Sequence, residues 1–381
     1  MRARPIVWGG LGAFALFGAA AGAWILSLPS NGADTEAPPI GTQEADALLA
    51  GLKPPKRQRP LIAIIGINDA TETTDYLMPY GVLRRSNVAE VALLATHRGA
   101  VKLYPVFTVE PDATIAEFDA QHPDGADYVI VPAMSRDDDA AALAWIRGQA
   151  ANGATIIGVC AGAMVVAEAG LLDGRRGTTH WYYAKRLREK HPRMQYIADR
   201  RMVVDRGVAT TTGITASMPV ALTLVEAIAG RDTAEGVARD IGLPRWDVRH
   251  SSGAFQFTRP FALTAIGNTL ALWNREQLGL ELVPGADEVT LALVADAWSR
   301  TYRSHAVTWS RSDAVAETRH GVRIRPDTLV PSWPGKHLLP STEGLKPAAA
   351  LDDALDRIGA RYGARTAEFV AMQLEYATNK N

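Results

Sequence analysis

From Leu61 onward the chain alternates short, uninterrupted apolar runs with longer stretches of helical spacing. Leu61–Ile67, Tyr128–Val131 and Thr155–Val159 are apolar at nearly every position, as expected of strands covered on both faces. Val101–Val109 and Val208–Thr212 read as two more strands. Between these runs, Tyr76 to Arg98, Asp137 to Asn152 and Ala216–Ala229 carry helical spacing. Asp137, Asp138 and Asp139 crowd the start of the second, where a helix dipole favours negative charge. Strands alternating with helices predict a parallel sheet with helices on both faces. After about Thr258 the rhythm weakens. Val289–Ala297 fits a strand or a helix, His305–Ser310 reads as a strand, and Ala348 to Tyr376 reads as an amphipathic helical stretch interrupted by Gly359 and Gly363.

The N-terminus follows a different pattern. Arg2 and Arg4 precede a run from Pro5 to Leu28 that contains no charged residue. Such a run spans the ~30 Å apolar core of a bilayer at ~1.5 Å per residue. Asp34 and Glu36 come next, and no Lys or Arg occurs until Lys53. That asymmetry predicts a single-pass anchor with the N-terminus cytoplasmic and the main body periplasmic or extracellular. The rival is a cleaved signal peptide, whose apolar core is usually about 7–15 residues. The run here is longer, and no small-x-small cleavage site follows. Residues 29–60, rich in Pro, Gly and charge, read as a linker with one short helix. The basic cluster Lys53, Lys56, Arg57 and Arg59 reads as a solvated part of it.

Composition narrows the function. The chain has 381 residues, 47% hydrophobic and 21% charged, with a formal net charge of −1. This is globular composition, and nothing in it points to nucleic acid as a partner. The histidines are scattered, without the close spacing of a helical metal motif, and there is no second cysteine for zinc. No metal and no cofactor is therefore expected.

The chemistry concentrates at the single cysteine. Gly158-Val159-Cys160-Ala161-Gly162-Ala163 follows an apolar run and precedes a helical one. Small residues around a nucleophile at a strand-to-helix junction describe a nucleophile elbow, a tight turn that strains the backbone. A thiol there lies at a helix N-terminus, where the dipole stabilises thiolate. The N–H groups just after it can bind an oxyanion. A buried cysteine in a Gly/Ala packing seam is the bland alternative. Downstream stands Thr178-Thr179-His180-Trp181.

The string GVCAGAMVVAEAGLLDGRRGTTHW resembles the PfpI/ThiJ superfamily, a branch of the class I glutamine amidotransferase-like fold. Its nearest likeness is the amidotransferase-like domain of AraC-type regulators, here without their DNA-binding domain. Asp75-Tyr-Leu-Met-Pro79-Tyr-Gly-Val-Leu83-Arg84-Arg85 and Thr212-Gly213-Ile214-Thr215-Ala216 also fit, so the resemblance runs from about Leu61 to Phe257. It implies a flavodoxin-like three-layer α/β sandwich. It also implies roles: Cys160 as nucleophile or oxidisable thiol, Asp75 as its carboxyl partner, and His180 as the nearby imidazole. A helix N-cap is the alternative reading of Asp75, and Glu72 and Asp69 are the nearest alternative carboxyls. Ala161, Gly162 and Ala133 would supply backbone oxyanion contacts. Ala161 stands where protease-like members carry histidine, which disfavours a peptidase.

These readings divide the chain into an anchor or signal peptide (1–28), a linker (29–60), a PfpI/ThiJ-like domain (61–257) and a C-terminal α/β extension (258–381). The extension is expected to pack on the domain, over the cysteine mouth or as a homodimer face. Two functions are expected to compete. One is a cysteine-dependent hydrolase or hydratase acting on a small electrophile. The other is a non-catalytic domain that senses a ligand or redox state. A structural protein with a vestigial pocket is the third reading.

Overall fold

Seven strands form the central sheet of the computed structural model, which describes residues 20–32, 36–243, 245–311 and 314–376. Their order is Met202–Asp205, Val208–Thr211, Thr155–Gly158, Tyr128–Val131, Leu61–Gly66, Glu90–Ala95 and Ala113–Thr114. All neighbours are parallel except the edge strand Met202–Asp205. Leu61–Gly66, Tyr128–Val131, Thr155–Gly158 and Val208–Thr211 are buried at every position, because helices cover both faces. Two hydrophobic cores result. One includes Leu77, Ile157, Leu224 and Leu291. The other, across the sheet, includes Val129, Trp145 and Met164. This is a flavodoxin-like α/β sandwich with a mostly parallel sheet. Strand order reverses between Leu61–Gly66 and Tyr128–Val131, which opens a crevice beyond the carboxyl ends of the strands.

The stretch Tyr76 to Arg98 is not one helix. A helix runs Thr73–Ser86, and a central strand, Glu90–Ala95, follows. Asn87, in the left-handed conformation at φ 52°, ends the helix, and the Val88–Thr96 run then pairs with Leu61–Gly66. Val101–Val109 is likewise divided, into Val101–Tyr104 and Thr108–Glu110, which pair antiparallel. Val289–Ala297 lies within the helix Glu288–Ser299, and Ala348 to Tyr376 breaks at Gly363 into Pro347–Tyr362 and Ala364–Gln373.

The C-terminal residues are woven into the domain. Ala316–Glu317 and Arg323–Arg325 extend Thr108–Glu110, Val101–Tyr104 and Asp69–Glu72 into a five-stranded sheet. Glu276–Glu281, Ser304–Ser310 and Thr328–Leu329 form a parallel three-stranded sheet. Glu288–Ser299, buried from Glu288 to Trp298, packs against both Thr73–Ser86 and Pro347–Tyr362. The segment before the first strand is also tied down, contrary to the reading of its basic cluster as solvated. Arg57 Nη1 donates to the buried Asp127 at 2.6 Å, and Lys56 Nζ donates to the carbonyls of Asp124 and Ala126.

The expected anchor falls mainly on residues 1–19, outside the described residues. Residues 20–27 are helical. Among the described residues no helix is long and apolar enough to cross a membrane.

Candidate functional site

Cys160 follows the strand Thr155–Gly158 and precedes the helix Gly162–Glu168. Its φ of +55° is the strained left-handed backbone that an elbow requires. Close packing explains the small neighbours. A Cβ at Gly162 would run into the Val131 carbonyl oxygen, and one at Gly158 would meet Val166 Cγ2 at 3.0 Å. Threonines hold the turn from both sides. Cys160 N–H donates to Thr211 Oγ1 at 3.2 Å, and Thr179 Oγ1 donates to the Cys160 carbonyl at 2.9 Å. Thr178 N–H donates to Thr210 Oγ1 at 2.7 Å. The Thr178-Thr179 pair thus straps the elbow to the next strand.

Cys160 is 4% exposed at the floor of a cavity of about 430 Å³. Cys160, Ala161, Glu72, His180, Tyr183 and Arg300 line it, with Met134 and Ile214 as apolar wall. Burial pushes the thiol up, and the charges of Asp75, Glu72 and Glu375 push it further against an opposing hydrogen bond from Ala161 N–H. The thiol is therefore protonated at rest.

Asp75 is fully buried. It is not the N-cap of its helix. Glu72 is, accepting from Asp75 N–H at 2.6 Å and from Thr74 Oγ1 at 2.8 Å. Asp75 Oδ2 accepts from Ala133 N–H at 3.1 Å, while Oδ1 is buried with no hydrogen-bond partner. Burial and the neighbouring Glu72 push Asp75 well above the usual carboxylate range. Burial thus favours the protonated form of Asp75, and Oδ1 is the oxygen left to carry the proton. Asp69, the other carboxyl alternative, lies at the surface paired with Arg136.

Glu72 connects this pair to the C-terminal residues. Its Oε1 accepts from Arg300 Nη2 at 2.9 Å, and Arg300 Nε donates to Asp296 Oδ2 at 2.7 Å. Burial pushes Glu72 up to about 7, with the charge of Asp296 adding to it and Arg300 opposing it. Burial opposes the charge on Arg300, but Asp296 and Glu72 outweigh it and hold the guanidinium protonated.

The sign of the Glu72 shift gives a pH dependence. A carboxyl raised from 4.5 to about 7 on folding contributes stability that is complete below pH 4.5 and is lost as pH rises through 7. Glu72→Gln is expected to match the parent near pH 5 and to exceed it by up to about 3 kcal/mol at pH 8. Urea unfolding at the two pH values measures the difference, and an equal difference at both would overturn the assignment.

His180 lines the cavity but is not placed as a base for the thiol. It caps the helix Trp181–Lys190, accepting from Tyr182 N–H at Nδ1 (3.2 Å), while Nε2–H donates to the Gln373 carbonyl at 2.9 Å. Both ring nitrogens are occupied, and burial pushes the imidazole down, keeping it neutral. Its role here is to join the elbow to the last helix. The expected oxyanion donors also divide. Gly162 N–H is bonded to the Val159 carbonyl at 2.7 Å and Ala133 N–H to Asp75, which leaves Ala161 N–H directed at the sulfur.

Sequence reasoning missed three groups that complete the site. Arg300 is one. Gln373 bridges, accepting from His180 and donating from Nε2 to the Arg300 carbonyl at 2.9 Å. Glu375, also buried, accepts from Trp181 N–H at 3.0 Å and from Gly213 N–H, with His250 Nε2 at 3.7 Å. Burial would raise Glu375, but His180, His250 and the Gly213 N–H together bring it below its usual value. The one sequence signal for this contact is Gly213, where a Cβ would collide with both Glu375 and His180.

The DJ-1/PfpI family model matches residues 62–227. An isonitrile hydratase of Pseudomonas putida is 41% identical over 99 residues, which is 26% of this chain and 42% of the hydratase. The HTH-type transcriptional regulator CdhR of Pseudomonas aeruginosa is 35% identical over 105 residues, 28% of this chain and 31% of the regulator. The chain thus spans less than half the length of either relative. A crystal structure of a ThiJ/PfpI family protein from Pseudomonas syringae aligns at 21% identity and a TM-score of 0.46, covering 63% of this chain and 95% of that one. With its cysteine at the carboxyl end of a parallel sheet and the matched segment enclosing that turn, this chain carries a DJ-1/PfpI family domain.

Proposed function

We propose that this chain is a membrane-anchored, cysteine-dependent hydratase acting on a small molecule with an electrophilic carbon–nitrogen multiple bond. The observation that carries the reading is a buried thiol on the elbow together with a buried carboxyl, Asp75, that acts on it electrostatically, is itself pushed toward its protonated form, and has an Oδ1 without any hydrogen-bond partner. The isonitrile hydratase relative supports an isonitrile as the substrate class.

The chemistry balances on these groups. Asp75 gives its proton to the terminal isonitrile carbon while the Cys160 sulfur adds to that carbon, and the thiol proton returns to Asp75. The product is a thioimidate. Water then adds to its carbon, the nitrogen gains a proton, and the carbon–sulfur bond breaks. An N-substituted formamide leaves and the thiol is restored. Ala161 N–H and Arg300 supply positive potential at the pocket as charge develops. The anchor is supported by the uncharged run Pro5 to Leu28 behind Arg2 and Arg4.

A second reading, ligand sensing without turnover, is supported by the regulator relatives. A thiol pushed up by burial argues against the redox form of sensing, which favours a low thiol pKa. Incubating the full chain with small isonitriles, nitriles and aldehydes decides between the two. Formamide release, with a thioimidate mass on Cys160 under rapid quench, is the expected result. Saturable binding without product would establish the sensing reading instead.

A further inference from the structure

The helix Arg259–Leu270 and the turn after it carry an apolar ridge that the rest of the molecule does not cover. Leu263 is 49% exposed, Ile266 42%, Leu270 63%, Leu272 62% and Trp273 82%. The first three are spaced three and four residues apart, so they form one stripe on the helix. The opposite face is fixed to the body. Phe261 and Ala262 are buried, and the buried Asn268 donates to the Thr301 carbonyl at 2.9 Å. The ridge is therefore presented on a held helix, and its exposure is not fraying.

Its position answers what covers it. Arg259, the first residue of that helix, binds the end of the apolar N-terminal run. Its N–H donates to the Pro29 carbonyl at 2.8 Å, and its Nη2 donates to the carbonyls of Leu26 at 2.7 Å and Leu28 at 3.4 Å. Trp24 and Leu26 are themselves 51% and 67% exposed. An anchor leaving a bilayer at Leu28 would therefore have no slack before it meets the body. The helix that receives it must lie at the membrane surface. Composition fits that place. From Arg259 to Arg275 no acidic residue occurs, arginines stand at both ends, and Trp273 sits near one of them. Apolar side chains with an aromatic and flanking cations match the headgroup boundary.

We propose that the ridge Leu263, Ile266, Leu270, Leu272 and Trp273 rests in the phospholipid interface, as a second membrane contact that fixes the orientation of the body. The inference rests on the proposed anchorage. The test uses the full chain in a Cys160→Ala background, with a single cysteine introduced by Leu270→Cys or Trp273→Cys and a polarity-sensitive fluorophore attached. Arg98, whose side chain is 90% exposed, gives the comparison site as Arg98→Cys. Each protein is reconstituted into phosphatidylcholine–phosphatidylglycerol vesicles with and without nitroxide-labelled lipid. Labels at 270 and 273 are expected to shift to the blue and lose at least half their emission to the nitroxide, while the label at 98 does neither. If all three labels behave alike while the protein resists carbonate extraction, the ridge contact is wrong and the anchor stands. If carbonate releases the protein, both fail. A blue shift that needs no lipid and grows with protein concentration would assign the ridge to a second copy of the chain and overturn the proposal.

Discussion

Cys160→Ala is expected to abolish turnover, and Asp75→Asn to reduce it by about 10²–10⁴, the usual contribution of a positioned acid or base. The alanine removes the only sulfur that can form the thioimidate. The asparagine keeps the shape of the carboxyl and an oxygen to accept from Ala133 N–H, which at present bonds Asp75 Oδ2 at 3.1 Å. It cannot deliver a proton to a substrate carbon. It also removes a carboxyl that, once ionised at the higher pH where the thiol titrates, pushes the thiol up. Iodoacetamide alkylation of Cys160 should therefore move to lower pH in Asp75→Asn while catalysis falls. Reactivity and turnover moving in opposite directions is what a proton donor predicts and what loose packing does not. If Asp75→Asn leaves both the alkylation profile and turnover unchanged, Asp75 has no part in the chemistry.

Much of the fold was legible because several strands are buried on both faces. Leu61–Gly66, Tyr128–Val131 and Thr155–Gly158 are buried at every position, and only the leading Tyr128 and Thr155 carry a polar group. Glu90–Ala95 was hidden by the same property. An Ala- and Leu-rich run after a helix has no period that separates strand from helix, and the boundary depends on Asn87 adopting φ 52°. The elbow was legible because steric demand selects glycine and alanine, and those residues are visible in any sequence. Asp75 stood out through the family resemblance of the segment Asp75 to Arg85, but the orphaned Oδ1 that makes it interesting is a product of packing. His180 was read as the imidazole near Cys160, and that its ring is occupied stayed hidden because its Nε2 partner, the Gln373 carbonyl, lies 193 positions away. Arg300 was invisible for the same reason: nothing local to it marks a guanidinium that reaches Glu72 from 228 positions away. The weakened rhythm after Thr258 also hid two short strands: Arg323–Arg325, which gains its meaning only by pairing with Thr108–Glu110, and Ala316–Glu317, which pairs with Arg323–Arg325 in turn.

Arg300 is where that distant segment bears most heavily on the site, and its removal should cost the most stability. Arg300→Met keeps an apolar stem of similar length but leaves Glu72 and Asp296 without their cation. Both carboxyls are buried, and Asp296 Oδ1 already lacks a partner. Breaking a buried ion pair from one side typically costs about 3–5 kcal/mol, and that loss is expected in urea unfolding of the detergent-solubilised chain at pH 8. Burial pushes both Glu72 and Asp296 upward, so their ionised forms are penalised only above the raised values. At pH 5 protons replace the missing guanidinium, and the deficit should shrink. Adding Glu72→Gln to Arg300→Met should recover part of the loss at pH 8 and little at pH 5, because the amide has no charge to strand. A deficit of equal size at both pH values, unmoved by Glu72→Gln, would mean that Arg300 acts through packing alone. The extension would then support the cysteine pocket as a wall, without setting its charge.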